Sequence, residues 1–344
     1  MQNGNLIYIA SAGDNEIVVL RLTSPRHRPE VLQKIDLSRY AAAGGVSTPM
    51  ALAPDGRSLY VALRTPPLPL VALSVGADDG LLTVTGVAQL PASTPYVVTD
   101  RTGRFLFSAA NPGATLAVSG IDAERKVAER AHQVLHVGHK LHCVAIDRSN
   151  SFVYVSSTDD GRIYQFRFDE TSGRLEPLTP PSIKLQSGGD PRHMILSPDG
   201  GFLYATTEAG GRIASFAVDI SSGQLTEIPG ADIMPSDFSG RSSTADIHMT
   251  PDGRFLYASE RVLNRIVAFS VNQASGVLEK IDETVTETRP RAFAIAPDGS
   301  FLIVAGETSG ELASYSINPA NGRLGEGFRF PVGRRPNWIE FAKN

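Results

Sequence analysis

The sequence repeats one short pattern along its length, and this repeat is the strongest constraint on its fold. Pro54–Tyr60, Pro198–Tyr204 and Pro251–Tyr257 are copies of one unit, in which Pro-Asp-Gly precedes an apolar run. Three degenerate copies lie at Arg101–Phe107, Arg148–Tyr154 and Pro297–Ile303. With Tyr8 as a seventh marker, the last residues of successive units are 46 to 53 positions apart. Pro-Asp-Gly predicts a tight turn between two strands, because Pro presets φ and Gly tolerates positive φ.

A second mark follows the unit at a nearly constant distance. A Gly-x-Leu segment begins 19 or 20 residues after five of the markers, at Gly80, Gly173, Gly223, Gly276 and Gly322. Each repeat therefore has room for two strands around the Pro-Asp-Gly turn, a third strand, and a fourth that starts at Gly-x-Leu. Four short strands in each repeat of this length are typical of a β-propeller blade.

The two ends of the chain complete the seventh repeat. Leu6–Ala10 matches the second strand of the other repeats, and Pro336–Phe341 matches the first strand. Pairing of these ends would close the ring and leave no free sheet edge. We therefore predict an all-β fold, a seven-bladed β-propeller with four antiparallel strands per blade, as a single domain over residues 1–344.

Composition limits the possible binding partners of the protein and its cellular location. The 344 residues include 32 Lys and Arg against 36 Asp and Glu, and a net charge of −4 disfavours nucleic acid as a partner. The lone Cys143 excludes an internal disulfide and a multi-thiolate metal site. The N-terminal residues do not resemble a signal peptide, and no apolar run is long enough to span a bilayer. We expect a soluble cytoplasmic protein without a membrane partner, either a monomer or a small homo-oligomer.

Two repeat positions stand out by their chemistry. In an antiparallel blade the first strand begins and the second strand ends at the same edge, so these positions meet at one mouth of the central channel. The start of the first strand holds Thr48, Pro95, His142, Arg192, Ala245, Arg291 and Asn337. The end of the second strand holds Ala12, Arg64, Asn111, Thr158, Glu208, Arg261 and Glu307. Solvated loops also carry charge, but this concentration of Arg, Glu and His favours a site that clamps a small anionic substrate and transfers a proton.

Several segments carry a family resemblance. They are Gly189–Met194, Thr207–Glu208, Ala245–Arg254, Ser259–Arg261 and Arg289–Phe293. Together they resemble the propeller lactonase family, which includes bacterial 6-phosphogluconolactonases of the propeller type and fungal carboxymuconate cyclases. The resemblance covers essentially the whole chain and implies lactone chemistry. It places the family's central-cleft His, two Arg and Glu on His142, Arg192, Arg261 and Glu208, which we expect to be catalytic.

Six further residues are expected to bind substrate. They are Arg64, Asn111, His193, His248, Arg291 and Glu307. His193 and His248 sit at different offsets in their blades, so at most one of them should face the same way as His142. Glu307 stands where bacterial phosphogluconolactonases tend to carry Gln, and Asp159 stands where some carry Lys. Both differences add negative charge, which would disfavour a phosphorylated substrate.

These residues predict an enzyme that hydrolyses a small anionic sugar lactone, 6-phosphogluconolactone or a related aldonolactone or aldarolactone, to the hydroxy acid. Water attack needs a base and cationic donors for the developing oxyanion. Either Glu208 or His142 is the base, while Arg192 and Arg261 stabilise the oxyanion or bind a carboxylate or phosphate. A muconate-type lactonizing cycloisomerase would use the same ring and is the alternative enzyme. A non-catalytic binding propeller is the second alternative, since propellers serve unrelated functions.

We expect neither a metal nor a cofactor. His132, His136, His139 and His142 would stack on one face of a helix and suggest zinc. Gly138 interrupts such a helix, and the repeat makes this segment a strand, a loop and another strand. The sequence also lacks the Gly-x-Ser-x-Gly, Walker A and Gly-x-Gly-x-x-Gly motifs of serine esterases, NTPases and dinucleotide enzymes.

Overall fold

The computed structural model describes residues 4–343, which form twenty-eight strands in seven antiparallel sheets of four strands each. The described residues contain no helix. This arrangement confirms the prediction of a seven-bladed β-propeller. Residues 1–3 and 344 of the predicted domain lie outside the described residues.

The blades are numbered along the chain, and their strands are given from the innermost outwards. Blade 1 contains β28 (Pro336–Phe341), β1 (Asn5–Ser11), β2 (Glu16–Leu22) and β3 (Glu30–Asp36). Blade 2 contains β4 (Met50–Leu52), β5 (Ser58–Ala62), β6 (Pro69–Val75) and β7 (Leu82–Gln89). Blade 3 contains β8 (Tyr96–Thr99), β9 (Phe105–Ala109), β10 (Thr115–Gly120) and β11 (Gln133–His136). Blade 4 contains β12 (Leu141–Ile146), β13 (Phe152–Ser157), β14 (Arg162–Asp169) and β15 (Arg174–Lys184).

The remaining three blades follow the same plan. Blade 5 contains β16 (Pro191–Leu196), β17 (Phe202–Thr207), β18 (Arg212–Val218) and β19 (Leu225–Asp232). Blade 6 contains β20 (Thr244–Met249), β21 (Phe255–Glu260), β22 (Arg265–Val271) and β23 (Leu278–Val285). Blade 7 contains β24 (Pro290–Ile295), β25 (Phe301–Gly306), β26 (Glu311–Ile317) and β27 (Leu324–Pro331).

The ring closes at blade 1, as the repeat predicts. Strand β28 pairs antiparallel with β1, and Ile9 lies opposite Ile339. The innermost strands contact one another in a closed cycle, from β28 through β4, β8, β12, β16, β20 and β24 back to β28. The strand–loop–strand expectation for the histidine-rich segment is also confirmed, because β11 ends at His136 and β12 begins at Leu141.

The two sequence marks are hydrogen-bonded to each other across neighbouring blades. The hydroxyl of a marker Tyr donates to the carbonyl of the Gly-x-Leu glycine of the next blade. These bonds are Tyr8–Gly80 (3.0 Å), Tyr154–Gly223 (2.9 Å), Tyr204–Gly276 (3.0 Å) and Tyr257–Gly322 (2.8 Å). Gly223 has a φ of 75°, and a Cβ there would lie 2.2 Å from a ring carbon of Phe152. Glycine is therefore required for both the turn and the close packing of the blades.

Apolar clusters between adjacent blades form the core. Cys143 lies fully buried in the cluster of blades 4 and 5, together with Tyr154 and Phe216. Burial raises the pKa of the Cys143 thiol to about 12, so this cysteine behaves as a packed apolar residue. Within the described residues, no helix has the length and apolar character that a membrane crossing demands.

Candidate active site

A β-bulge marks the start of the innermost strand in five blades. At each of these places the pairing of the first two strands skips one or two residues of the innermost strand. The skipped residues include His142, Arg192, Ala245, Arg291 and Asn337. A bulge takes a residue out of the ladder and re-aims its side chain, which is why bulges recur next to active sites. The same β-bulge therefore recurs in these five blades and directs side chains to a single mouth of the channel.

Glu208 links blades 5 and 6 at this mouth. Arg261 Nη2 donates a hydrogen bond to Glu208 Oε1, and Arg192 Nε lies 3.5 Å from Oε2. Arg192 Nη1 donates to the carbonyl of Ala245 at 2.6 Å, and Arg261 Nε donates to that of Ser243 at 3.0 Å. Both arginine side chains are buried, whereas the Glu208 side chain is 34% exposed. The carboxylate thus meets solvent while the backbone fixes the two guanidinium groups.

The charges of this cluster shift one another's pKa values. Burial alone would raise the pKa of Glu208, but the guanidinium groups of Arg192, Arg261 and Arg291 outweigh it and lower that pKa. Burial, together with the charge of Arg261, lowers the pKa of Arg192 to about 9. Glu208 is therefore ionised at neutral pH, and Arg192 stays charged. A carboxylate that accepts from one cation and lies beside another is a weak base.

His142 is a neutral imidazole beside these cations. It is buried, and its Nδ1 has no hydrogen-bond partner among residues 4–343. Because Nδ1 is also shielded from solvent, Nε2 is the ring nitrogen that can meet water or a substrate. Burial and then the charges of the neighbouring arginines, Arg192, Arg291 and Arg64, hold the pKa of His142 well below its usual value of 6.5. The ring is therefore neutral at neutral pH and keeps a free lone pair on one nitrogen.

Arg291 and Glu307 occupy the same mouth on blade 7. Arg291 Nη1 lies 3.3 Å from Glu307 Oε1. Arg289 Nε lies 3.0 Å from Oε2, and Arg335 Nη2 lies 3.3 Å from Oε1. Glu307 is buried, and although burial would raise its pKa, Arg291, Arg289 and Arg335 lower it. The Glu307 carboxylate therefore binds three arginines.

Arg64 and Asn111 lie on the side of blades 2 and 3. Arg64 donates from Nε to Ser93 Oγ at 3.1 Å and from Nη1 to Ser47 Oγ at 3.0 Å. Its Nη2 donates to the backbone carbonyl of Asn111. Burial and the charge of Arg291 lower the pKa of Arg64 to about 10. Arg64 thus adds positive charge to the mouth while its own donors hold neighbouring loops.

Comparison with known proteins identifies the family. Residues 31–341 match the family described as lactonase, 7-bladed beta-propeller. The chain belongs to this family. The curated 6-phosphogluconolactonase of Cronobacter sakazakii (strain ATCC BAA-894) is 36% identical over 337 residues, which cover 97% of each chain. That of Yersinia pestis (strain Pestoides F) is 33% identical over 333 residues, which cover 97% of this chain and 96% of the relative.

Solved structures agree with this membership. A periplasmic gluconolactonase of Pseudomonas aeruginosa superposes with a TM-score of 0.88 at 25% identity and covers 99% of each chain. A Lactobacillus plantarum protein shares the fold with a TM-score of 0.86 at 21% identity, over 99% of this chain and 100% of that chain. The resemblance to the propeller lactonase family that the sequence motifs indicate is confirmed.

His193 and His248 belong to a second group of polar residues. The sequence predicts that His248 binds substrate with the other residues of the mouth, whereas the structure places it in this second group. His193 Nδ1 lies 2.7 Å from Asp246 Oδ1, and His248 Nε2 lies 3.3 Å from Asp246 Oδ2. His248 lines a cavity of about 280 Å³ with Glu340 and Phe293, and this cavity, called the lower cavity below, contains none of the four predicted catalytic residues. The structure does not bring His248 to the mouth, because it lies three residues further along its strand than Ala245.

An aromatic layer separates the mouth from the lower cavity. The ring centroids of Tyr96, Trp338 and His193 are 5.4 to 6.0 Å apart, and the His193 ring lies 5.1 Å from that of His142. Burial and the charge of Arg192 lower the pKa of His193 to about 4, although Asp246 opposes this shift. His193 is thus a neutral ring that packs beneath His142, with Nδ1 donating to Asp246.

Sequence reasoning missed two arginines of the mouth. Arg289 and Arg335 each lie directly before an innermost strand, and both contact Glu307. Their side chains are 48% and 41% exposed. The repeat contains a signal for them, since they share one position in successive blades. That signal is weak, because no single residue type is shared by all of the other five blades at that position.

Proposed function

We propose that the mouth formed by His142, Arg192, Glu208 and Arg261 hydrolyses the ester bond of a small anionic sugar lactone. The family and the curated relatives confirm the sequence-based prediction of a lactone-hydrolysing enzyme. They also oppose a non-catalytic binding propeller. The observation that carries the residue assignment is that two buried arginines share the Glu208 carboxylate and that one of them, Arg192, acts on the neutral His142.

In the first step, water attacks the carbonyl carbon of the lactone. His142 Nε2 takes one proton of the water as the new C–O bond forms, and the carbonyl electron pair moves onto oxygen. His142 suits this role better than Glu208, because Glu208 already accepts from Arg261 and lies beside Arg192. In the second step the ring C–O bond breaks, and the protonated His142 returns the proton to the departing hydroxyl oxygen.

Arg192 and Arg261 stabilise the oxyanion that forms between these steps. Donors fixed before the reaction stabilise developing charge without a cost of reorganisation. Backbone carbonyls at 2.6 and 3.0 Å hold the two guanidinium groups in place. Glu208 orients both groups from the solvent side. Negative charge arriving on the substrate also offsets the field that lowers the pKa of His142, so the base strengthens as the oxyanion develops.

Two substitutions test this assignment. Arg261→Gln should lower kcat roughly 10²-fold or more on gluconolactone and 6-phosphogluconolactone alike, because it removes an oxyanion donor. Glu208→Gln should lower kcat on both lactones as well, since the two arginines lose the group that orients them. Arg212→Gln is the matched control, because the Arg212 side chain pairs with exposed Asp232 across the two outer strands of blade 5. Full activity of Arg261→Gln and Glu208→Gln, with intact circular dichroism, would place the active site elsewhere.

The relatives differ in the substrate that their names give. The curated relatives are named 6-phosphogluconolactonase, whereas the P. aeruginosa structure is described as a periplasmic gluconolactonase. We propose a sugar lactone bearing an anionic group, because arginines outnumber carboxylates at the mouth. A muconate should be turned over far more slowly than the lactones, which tests the cycloisomerase alternative. The cytoplasmic location and the oligomeric state stay predictions.

A further inference from the structure

A second positive region lies beside the four predicted catalytic residues. Arg289, Arg291 and Arg335 converge on the single buried carboxylate of Glu307, at 3.0 to 3.3 Å. Three cations around one anion leave two positive charges without a partner inside the group. The neighbouring Arg334 adds none, because it pairs with Asp14 at 2.6 Å.

These arginines line an open cavity of about 950 Å³. Glycines from three loops, Gly13, Gly310 and Gly333, contribute to its wall. This volume lies in the range of pockets that bind small molecules. Arg291 joins the cavity to the mouth, because it pairs with Glu307 and its charge also acts on Glu208. The two regions are therefore neighbours that share Arg291.

The same repeat position carries no unpaired positive charge elsewhere on the rim. The position two residues before Arg291 and its equivalents in the other blades holds Val46, Ser93, Lys140, Asp190, Ser243, Arg289 and Arg335. Lys140 shares the left-handed backbone of the two arginines, with φ of 48° against 63° and 56°. Its charge is neutralised one-to-one by Asp159 at 2.9 Å. Unpaired positive charge at this position is thus confined to blades 7 and 1.

We propose that Arg289 and Arg335 bind the phosphate group of a phosphorylated sugar lactone whose carbonyl lies between Arg192 and Arg261. Guanidinium groups bind phosphate oxygens in pairs of parallel hydrogen bonds, and half-exposed arginines fixed by one carboxylate are oriented for this contact. This inference rests on the proposed function, and it names the substrate class of that same mouth. Glu307 then orients the phosphate-binding arginines.

The pairing of Glu307 changes its expected effect on a phosphorylated substrate. An unpaired carboxylate that faces the substrate would repel phosphate. Glu307 is instead buried, with a side chain only 6% exposed, and it is paired with three arginines. Asp159 likewise pairs with Lys140. Neither carboxylate contributes an unpaired negative charge to the phosphate-binding region.

The test compares two lactones in a double variant. For Arg289→Gln with Arg335→Gln, the KM for 6-phosphogluconolactone should rise roughly 10-fold for each arginine–phosphate interaction that is removed, about 100-fold in total. The KM for unphosphorylated gluconolactone should stay within about 2-fold, because it lacks the group that these arginines bind. Lys140→Gln is the matched control at the same repeat position and should change neither KM. Equal changes for both lactones, or no change for either, would overturn the proposal.

Binding of the reaction products separates this proposal from the proposed function. Calorimetry should show that the double variant binds 6-phosphogluconate roughly 100-fold more weakly, while gluconate binding is unchanged. If the native chain binds 6-phosphogluconate through these arginines but hydrolyses no lactone, the proposed function fails and the phosphate site stands. If the double variant does not fold, the two single variants give the same test, with roughly 10-fold expected for each. A single variant that binds 6-phosphogluconate like the native chain would overturn the role of that arginine.

Discussion

The two ends of the central channel handle charge in opposite ways. In the lower cavity Asp246 accepts from His193 and stands beside His248, whose pKa it raises despite burial. Trp338 Nε1 donates to Glu340 at 3.0 Å, and burial raises the pKa of this carboxyl to about 7. In the lower cavity the Asp246 carboxylate therefore has histidine partners, and the Glu340 carboxyl has a pKa close to neutral.

The mouth, by contrast, gathers cations around few acceptors. Five guanidinium groups lie around Glu208 and Glu307 there, those of Arg192, Arg261, Arg289, Arg291 and Arg335, and Arg64 adds a sixth positive charge. The same fold builds both ends from the same seven strands. The excess of positive charge, rather than the presence of buried histidines, therefore distinguishes the end of the channel that is suited to an anionic substrate.

The largest expected effect contrasts two histidines. His142→Gln should lower kcat for lactone hydrolysis roughly 10³-fold, because it removes the general base. His248→Gln should leave kcat within about 2-fold, because His248 lies in the lower cavity below the aromatic layer. Steady-state kinetics on 6-phosphogluconolactone measure both. Equal losses in the two variants would mean that the lower cavity takes part in catalysis.

The next effect is on stability. Asp246→Asn should lower the free energy of unfolding by about 3 kcal/mol, because it removes the buried carboxylate that accepts from His193 and lies beside half-buried His248. Its kcat should change much less than that of His142→Gln. Asp232→Asn, which removes an exposed partner of Arg212, should cost less than about 0.5 kcal/mol. Urea unfolding compares the two variants, and an unchanged midpoint for Asp246→Asn would contradict the structural role.

The smallest effect is a displaced pH profile. The active form of His142 is neutral, and burial with the arginine charges lowers its pKa below 6.5. Hydrolysis should therefore rise with pH through a midpoint below 6.5 in kcat/KM and be level above it. In kcat the midpoint should lie at higher pH, because a bound anion offsets the arginine field. A kcat/KM midpoint above 6.5 would contradict the assignment of His142.

The sequence predicts the architecture well because its signals are local. Pro-Asp-Gly and Gly-x-Leu fix turns within a few residues, and Gly223 and Gly253 adopt the positive φ values that those turns need. The pairing of β28 with β1 follows from the same repeat, because the two ends of the chain supply the first and second strands of the seventh repeat. The bond from Tyr154 to Gly223 could not be read in this way, because it joins neighbouring blades 69 residues apart.

The site is predictable only in part, because charge pairing depends on three dimensions. Register brings His142, Arg192, Glu208 and Arg261 together, as the structure shows. It does not reveal that Glu307 binds three arginines from positions 289 to 335, or that Asp246 bridges His193 and His248. The direction of the His142 pKa depends on cations from three blades besides its own, so composition alone gives no guide to it.

The most direct measurement is a crystal structure with 6-phosphogluconate bound. Its carboxylate derives from the lactone carbonyl, so it should lie between Arg192 and Arg261 and within hydrogen-bond reach of His142 Nε2. Its phosphate should contact Arg289 and Arg335. Occupation of the lower cavity, or of any surface away from these residues, would contradict the conclusion that the cation-rich mouth is where the lactone is hydrolysed.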